Sequence, residues 1–295
     1  MRWALAVHGG AGLWAPALHD EAQRRLKCAA ERGRYALLQG QSALDAVCAV
    51  VAALEDDDLF NAGTGSVLNR DGEVEMDAAV MRGHDFGFGA VAAIRRVRTP
   101  VLVARLVLEK TPHALLCAQG ATLFARQQGF DDYDPTTARA VIDWKRAAGV
   151  IAEDRPGTVG ATALDVDGRL ASATSTGGIL RKLPGRIGDS PLPGAGTYAT
   201  PFAAVSATGV GEQVLRALAG KRLCDLVETG WSAQAASEAV LEWMAAHVGA
   251  DVGFIAVSHD GSVGISHRTP FMPHAVASWR QPELAIAMQA AKAPG

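Results

Sequence analysis

Three Asp-Gly dipeptides set the tightest limit on what this chain can fold into. Asp71-Gly72, Asp167-Gly168 and Asp260-Gly261 stand between paired apolar-rich runs, at 66–70 and 73–81, 159–166 and 169–176, and 251–258 and 261–266. A two-residue Asp-Gly link tolerates the positive φ angles of a tight hairpin, so each site predicts two antiparallel neighbours. Further strand-like runs lie at 3–7, 86–97 and 203–207, while helical spacing covers 20–38, 42–54, 100–110, 119–128, 211–220 and 232–248. Ser42 is placed to cap the second helix. The pattern weakens between 130 and 156. Residues 153–157 read as an exposed, turn-rich linker, and 177–200 as a Gly- and Pro-rich loop. Strands and helices come in blocks with no repeat of fixed period, which predicts an α+β fold of antiparallel sheets layered with helices.

With 295 residues, 49% hydrophobic and 20% charged, the chain can bury a substantial core. Its net charge of −3 offers no basic field to a phosphate backbone, so no nucleic-acid partner is expected. The four cysteines, at 28, 48, 117 and 224, have neither the density of a disulfide framework nor the clustering of a zinc site. Cys28 and Cys48 fall in Ala-rich helical runs and read as small buried thiols, and a reducing, cytoplasmic setting is expected. The first apolar run, 3–7, is too short for a signal-peptide core or a membrane span, so no membrane attachment is expected.

Several catalytic signatures are missing: no GxxxxGK[ST] loop, no HExxH helix and no GxSxG elbow, and the glycines at 9, 10 and 12 do not spell GxGxxG. What remains is the concentration of Gly and Thr at Gly157-Thr158-Val159-Gly160-Ala161, directly after the linker. A threonine hydroxyl is a weak nucleophile without an adjacent base. Were the bond before Thr158 cut, its own α-amine, with a pKa of about 7.7–8.0 in model compounds, would supply that base. The same hydroxyl can make the cut by attacking the Gly157 carbonyl, giving an ester that water hydrolyses; glycine tolerates the strained backbone such a step needs. On spacing alone, Thr158 reads more readily as an ordinary threonine opening a strand.

The run GTVGATALDVDGRLASATSTGG at 157–178, followed by KLPGRIGDSPLPGAGTYA at 182–199, resembles the plant-type L-asparaginase and isoaspartyl peptidase family of N-terminal-nucleophile hydrolases. VHGGAG at 7–12, LEDDDLFNAGTGSVLNRDGEVEMDA at 54–78 and ATGVGE at 207–212 extend the resemblance, in order, over most of the chain. It implies a four-layer αββα sandwich in a single domain, 1–295, that cuts itself between Gly157 and Thr158 into an α-subunit, 1–157, and a β-subunit, 158–295. A dimer of αβ units is the family's usual assembly.

The resemblance also implies roles for individual residues. Thr158 matches the nucleophile, and Thr176 the threonine that orients its hydroxyl. Arg186 and Asp189 match the pair that grips the substrate's amino-acid head, the guanidinium on the α-carboxylate and the aspartate on the α-ammonium. Thr208 and Gly209 match the oxyanion hole, and Asn61 an asparagine beside the nucleophile. The loop around 54–64 matches a structural sodium loop in which mostly backbone carbonyls, at Leu54, Glu55, Asp57, Phe60, Ala62 and Thr64, hold the ion. The aspartates at 56–58 are then mainly a solvated surface. No cofactor is expected for catalysis. The implied substrates are small molecules, L-asparagine and β-aspartyl dipeptides, cleaved through a β-aspartyl ester on Thr158. The alternatives are a glycosylasparaginase-like amidase, disfavoured by Gly157 where that branch carries Asp, and a non-catalytic protein that keeps the fold. Two departures stand out: Pro156 in a short linker, and Ala114 in the segment 108–116, which assigns the chain to neither the potassium-activated class nor the other.

Overall fold

A computed structural model describes residues 2–147 and 157–290. Among these residues the strands in chain order are β1 (Ala4–His8), β2 (Met76–Arg82), β3 (Phe88–Ile94), β4 (Leu115–Cys117), β5 (Val159–Leu164), β6 (Leu170–Thr176), β7 (Thr197–Ala199), β8 (Ala203–Gly209), β9 (Val252–Ser258), β10 (Val263–His267), β11 (His274–Ser278) and β12 (Gln281–Ala287). The helices are α1 (His19–Leu38), α2 (Ala43–Glu55), α3 (Pro100–Lys110), α4 (Ala118–Gln127), α5 (Ala138–Arg146), α6 (Gly211–Ala217), α7 (Ala219–Glu228) and α8 (Ala233–His247).

An eight-stranded sheet runs in the order β12-β11-β1-β5-β6-β2-β3-β4, and a four-stranded sheet in the order β10-β9-β8-β7. Every named pair is antiparallel except β3 with β4. Helices α2 and α3 pack on the outer face of the large sheet, and α7 and α8 on the outer face of the small one. The inner faces meet through β1, β5 and β6 against β8 and β9. This is the four-layer αββα sandwich expected from the sequence. Strand alternation assigns the layers: Leu5 and Val7 of β1 join the helix-side core of the large sheet, whereas Ala4 and Ala6 join the core between the sheets. Likewise Ala203, Val205 and Ala207 of β8 face α7 and α8, and Ala204 faces inward.

The core between the sheets mixes alanines with Leu164, Leu170, Ile255, Val257 and two methionines, and at one point the sheets approach closely. A Cβ added to Gly160 of β5 would collide with the Ser206 hydroxyl of β8 and lie 2.5 Å from His8 Nε2 of β1. Only glycine leaves room there.

Most elements follow the sequence pattern, with Ser42 and Ser232 capping α2 and α8 through bonds from Asp45 N–H and Ala235 N–H. The differences have local causes. The 66–70 run is not a strand, since Asn69 folds it into a turn by accepting from the N–H groups of Asp71 and Glu73 through its side chain. The predicted helix 211–220 breaks at Leu218, which is left-handed (φ 46°); the N–H groups of Gly220 and Lys221 then donate to the carbonyls of Ala195 and Gly194. Helix α5 lies where the pattern was weak, capped by Thr137 and tied down by the Trp144 indole N–H on the Asn69 carbonyl (2.7 Å). Short β7 lies inside the predicted 177–200 loop, and β11 and β12 lie beyond the recognised motifs. Cys28, expected to be buried, is exposed, because it falls off the α1 stripe formed by Leu26, Ala29, Ala30 and Gly33. Cys48 is buried, and all four cysteines are free thiols. The expected linker residues 153–156 lie outside the described residues. No described helix is long and apolar enough to cross a membrane.

Replacing Gly160 by valine forces branched volume into the narrowest point between the sheets, with an expected loss of about 1–3 kcal/mol or more. Thermal unfolding checks this: a clear fall in Tm is expected, and an unchanged Tm contradicts the close approach.

Candidate functional site

Alternation along the two central strands sends one set of side chains into the space between the sheets. Thr158, Gly160 and Thr162 share that side of β5; Ser172, Thr174 and Thr176 share it on β6; His8 does so on β1; Ser206 and Thr208 do so on β8. The register pairs Val159 with Ser175, so Thr158 and Thr176 stand opposite one another, one position beyond it. The result is a buried, hydroxyl-lined seam at one end of an otherwise apolar layer. Ser206 Oγ shares hydrogen bonds of 2.8 Å with both His8 Nε2 and Thr174 Oγ1. His8 is fully buried, and burial pushes its pKa down to about 3, so the imidazole is neutral at physiological pH.

Thr158 is 4% exposed. The Thr208 hydroxyl donates to the Thr158 carbonyl (3.2 Å) and accepts from the Ala11 N–H (3.0 Å), tying β8, β5 and the glycine loop after β1 together. That loop runs along the peptide expected to be cut: a Cβ on Gly10 would lie 2.8 Å from the Gly157 carbonyl oxygen. At Gly157 itself, a Cβ would meet nothing within 4 Å among the described residues. A cleft of about 340 Å³ opens at this point, lined by Asn61, Gly157, Gly178 and Gly209 with an apolar wall that includes Leu13, Ile179, Leu180 and Val210.

Thr176 accepts from the Gly178 N–H through Oγ1 (2.9 Å). Asn61 is wholly committed to the same turn. Its Nδ2 donates to the Gly178 carbonyl (2.8 Å), its backbone carbonyl accepts from Gly177, and its Oδ1 accepts from Val67 N–H (3.0 Å). In the uncut chain Asn61 therefore shapes the rim of the cleft and Thr176 the turn beside it.

Arg186 and Asp189 converge on Gly211, where an added Cβ would be 2.6 Å from Asp189 Oδ1 and 3.0 Å from Arg186 Nη2. They are not the solvated surface pair that loop residues of opposite charge would ordinarily make. The Arg186 guanidinium makes a two-pronged pair with Glu212, Nε to Oε1 at 2.9 Å and Nη2 to Oε2 at 2.8 Å. Asp189 is 4% exposed, and its Oδ2 has no hydrogen-bond partner among the described residues. Burial pushes its carboxyl up to about 7, against the opposing pull of Arg186.

The loop after α2 curls so that several of its carbonyls face glycines. An added Cβ on Gly63 would strike the Glu55 carbonyl, and one on Gly65 would strike that of Phe60 and lie 3.1 Å from that of Asp57. These carbonyls thus turn into the curl of the loop. The Phe60 and Ala62 carbonyls each accept one loop N–H, the Leu54 carbonyl accepts from Asp56 and Asp57, and the Thr64 hydroxyl bonds Tyr133 (3.1 Å). The aspartate side chains point elsewhere: Asp57 and Asp58 pair with Arg25, and Asp56 with Arg98. Glu55 is no part of that surface. Its side chain is buried, accepts from Val101 N–H at the start of α3 (2.9 Å), and is pushed up to about 8 by burial. Sequence reasoning missed Ser206 and Glu212; the step of two from Thr208 along one strand, and the acid that closes ATGVGE, were the available signals.

A family model described as Asparaginase matches residues 1–285. A plant-type L-asparaginase of Pyrococcus abyssi is 43% identical, over 92% of this chain and 95% of its own length. The isoaspartyl peptidase of Escherichia coli is 42% identical, over 91% and 90%. An isoaspartyl peptidase/L-asparaginase of Xenopus laevis is 42% identical, over 88% and 87%.

Because Asp189 binds its proton more tightly folded than unfolded, its contribution is most favourable below the ordinary carboxylate pKa and is lost as pH rises to about 7. The Tm difference between pH 5 and pH 8 is expected to shrink in Asp189→Asn relative to the unaltered chain; an identical difference contradicts this.

Proposed function

On the premise that the chain belongs to the asparaginase family of N-terminal-nucleophile hydrolases, we propose that it hydrolyses the side-chain amide of L-asparagine and the isopeptide bond of β-aspartyl dipeptides, with Thr158 as nucleophile. The observation that carries this reading is the meeting of Thr158, Thr208 and Thr176 in a buried seam that opens on the cleft through Gly157.

The chain first activates itself. The Thr158 hydroxyl attacks the Gly157 carbonyl carbon, the amide nitrogen leaves with a proton, and water hydrolyses the resulting ester to a Gly157 carboxylate and a free Thr158 amine. The pieces 1–157 and 158–295 stay joined by main-chain ladders. β1 pairs with both β5 and β11, and β2 pairs with β6, across the cut.

In turnover the Thr158 amine takes the hydroxyl proton and the oxygen attacks the substrate's β-carbonyl. Thr208 and Gly209 stabilise the oxyanion, while Thr176 orients the nucleophile. Ammonia or an amino acid leaves with the proton, and water releases aspartate from the ester. Neutral His8 adds no competing positive charge beside the amine. Arg186 receives the α-carboxylate in place of, or beside, Glu212. Asp189, charged once an α-ammonium sits against it, holds the amine. Asn61 keeps the cleft rim in shape. The carbonyls of Leu54, Glu55, Asp57, Phe60, Ala62 and Thr64 would hold a sodium ion that braces the loop carrying Asn61, with no part in the chemistry. A dimer of αβ units in the cytoplasm completes the reading.

A denaturing gel tests the first step: two fragments are expected in place of the 30.7 kDa chain. Thr158→Ala is expected to stay whole and inactive, and a single band for both proteins contradicts self-processing. Thr208→Val is expected to lower kcat by about 10²–10³. Since Asp189 must be charged to hold the substrate amine, kcat/KM for L-asparagine is expected to fall as pH drops below about 7. A flat profile between pH 5 and 8 contradicts that role.

A further inference from the structure

The loop 182–189, which carries Arg186 and Asp189, is fastened from beneath by two buried carboxylates on the approach to and within β2. Asp77 is fully buried; its Oδ1 accepts from the Ala93 N–H (2.8 Å) and its Oδ2 from the Gly188 N–H (3.2 Å). Glu75 is 3% exposed; its Oε2 accepts from the Gly185 N–H (3.0 Å) and Asn69 Nδ2 (3.2 Å), and its Oε1 from Arg95 (2.6 Å). The chain returns the tie at its other end, where Lys182, 2% exposed, donates from Nζ to the Glu75 carbonyl (2.7 Å). An ammonium and two carboxylates are costly to bury, and each is retained here with polar partners.

The geometry points to Glu75 and Asp77 as positioning residues for substrate recognition: they hold the backbone at Gly185 and Gly188, on either side of Arg186, so that its guanidinium and the Asp189 carboxylate converge at Gly211. This inference rests on the reading of Arg186 and Asp189 as the grip on the substrate's head. A carboxylate suits the task because its two oxygens take two N–H donors from different segments, and the charge strengthens both bonds. Asp77 thereby links the β3 backbone to the recognition loop, and Glu75 links the 69–73 turn to it. Neither side chain hydrogen-bonds the Thr158 seam among the described residues; Asp77 stands opposite Thr176 in the β2–β6 register, so Glu75, which has no such neighbour in that register, separates an effect on binding from one on the seam. Misplacing a gripping group by about 1 Å can cost about 10²-fold.

The test uses the self-cleaved full chain with L-asparagine, reading KM and kcat separately for Asp77→Ala, Glu75→Gln and Arg186→Lys, with Tm for each. Asp77→Ala is expected to raise KM about 10- to 100-fold, a larger change than in kcat. Glu75→Gln keeps the shape, loses the charge and is expected to raise KM by a smaller factor, so the proposal stays testable if Asp77→Ala does not fold. Arg186→Lys separates the two layers of the claim. An unchanged KM in that variant overturns the head-grip reading itself. A raised KM there, with Glu75→Gln and Asp77→Ala unchanged, overturns only the positioning role. A fall in kcat and Tm without a rise in KM also overturns it, because that is the mark of a merely structural pair.

Discussion

Where β5 passes over β8, a glycine, a serine hydroxyl and a buried neutral imidazole occupy the space that larger side chains fill in most sheet-on-sheet packings. Gly160 sets how near the two sheets come, and that spacing decides what the Thr208 hydroxyl can reach. At this separation it spans from the Ala11 N–H to the Thr158 carbonyl, drawing the glycine loop, the start of β5 and the end of β8 to one point. Small side chains give little apolar burial, but they let backbones close to hydrogen-bonding distance of side chains on the opposite sheet.

Around that seam the charged groups are arranged in a graded way. On the loop, Glu212 satisfies Arg186 through a two-pronged pair, the kind of partner that the proposed substrate carboxylate would replace. Deeper, the buried Asp189 has no hydrogen-bond partner on Oδ2 among the described residues and is pushed toward its neutral form, which suits the ammonium-binding role proposed for it. Beneath both, Asp77 and Lys182 are bonded to main-chain partners, and Glu75 to the Gly185 N–H together with Arg95 and Asn69. The first two layers are suited to exchange partners with a ligand; the third is suited to stay fixed.

The Asp-Gly hairpins and the helical stripes made the αββα layering legible, because turn chemistry and apolar periodicity act locally. The elements that escaped were β4, α5, β7, α7, β11 and β12; some owe their place to partners distant in the chain, such as the Asn69 carbonyl that receives Trp144 or the pairing of β11 with β1, while β7 and β12 are edge strands on the neighbouring β8 and β11. The named site residues were legible through motifs, but their present partners were not. Nothing in GRIGDSP says that Arg186 bonds Glu212, and nothing in FNAG says that both ends of the Asn61 amide are already taken. Glu55 looked like part of an acidic surface because its neighbours are one. It is buried because it ends α2 on the inward side of the helix, a phase that three following aspartates conceal.

The central claim is that Thr158 becomes a chain terminus and carries the acyl group. Acid-quenching the enzyme during turnover of L-asparagine and weighing its fragments by mass spectrometry tests both parts at once. The account predicts a fragment that begins at Thr158, with a population heavier by one aspartyl residue and the added mass on the Thr158 peptide. A fragment beginning elsewhere, or an adduct on any other side chain, contradicts it.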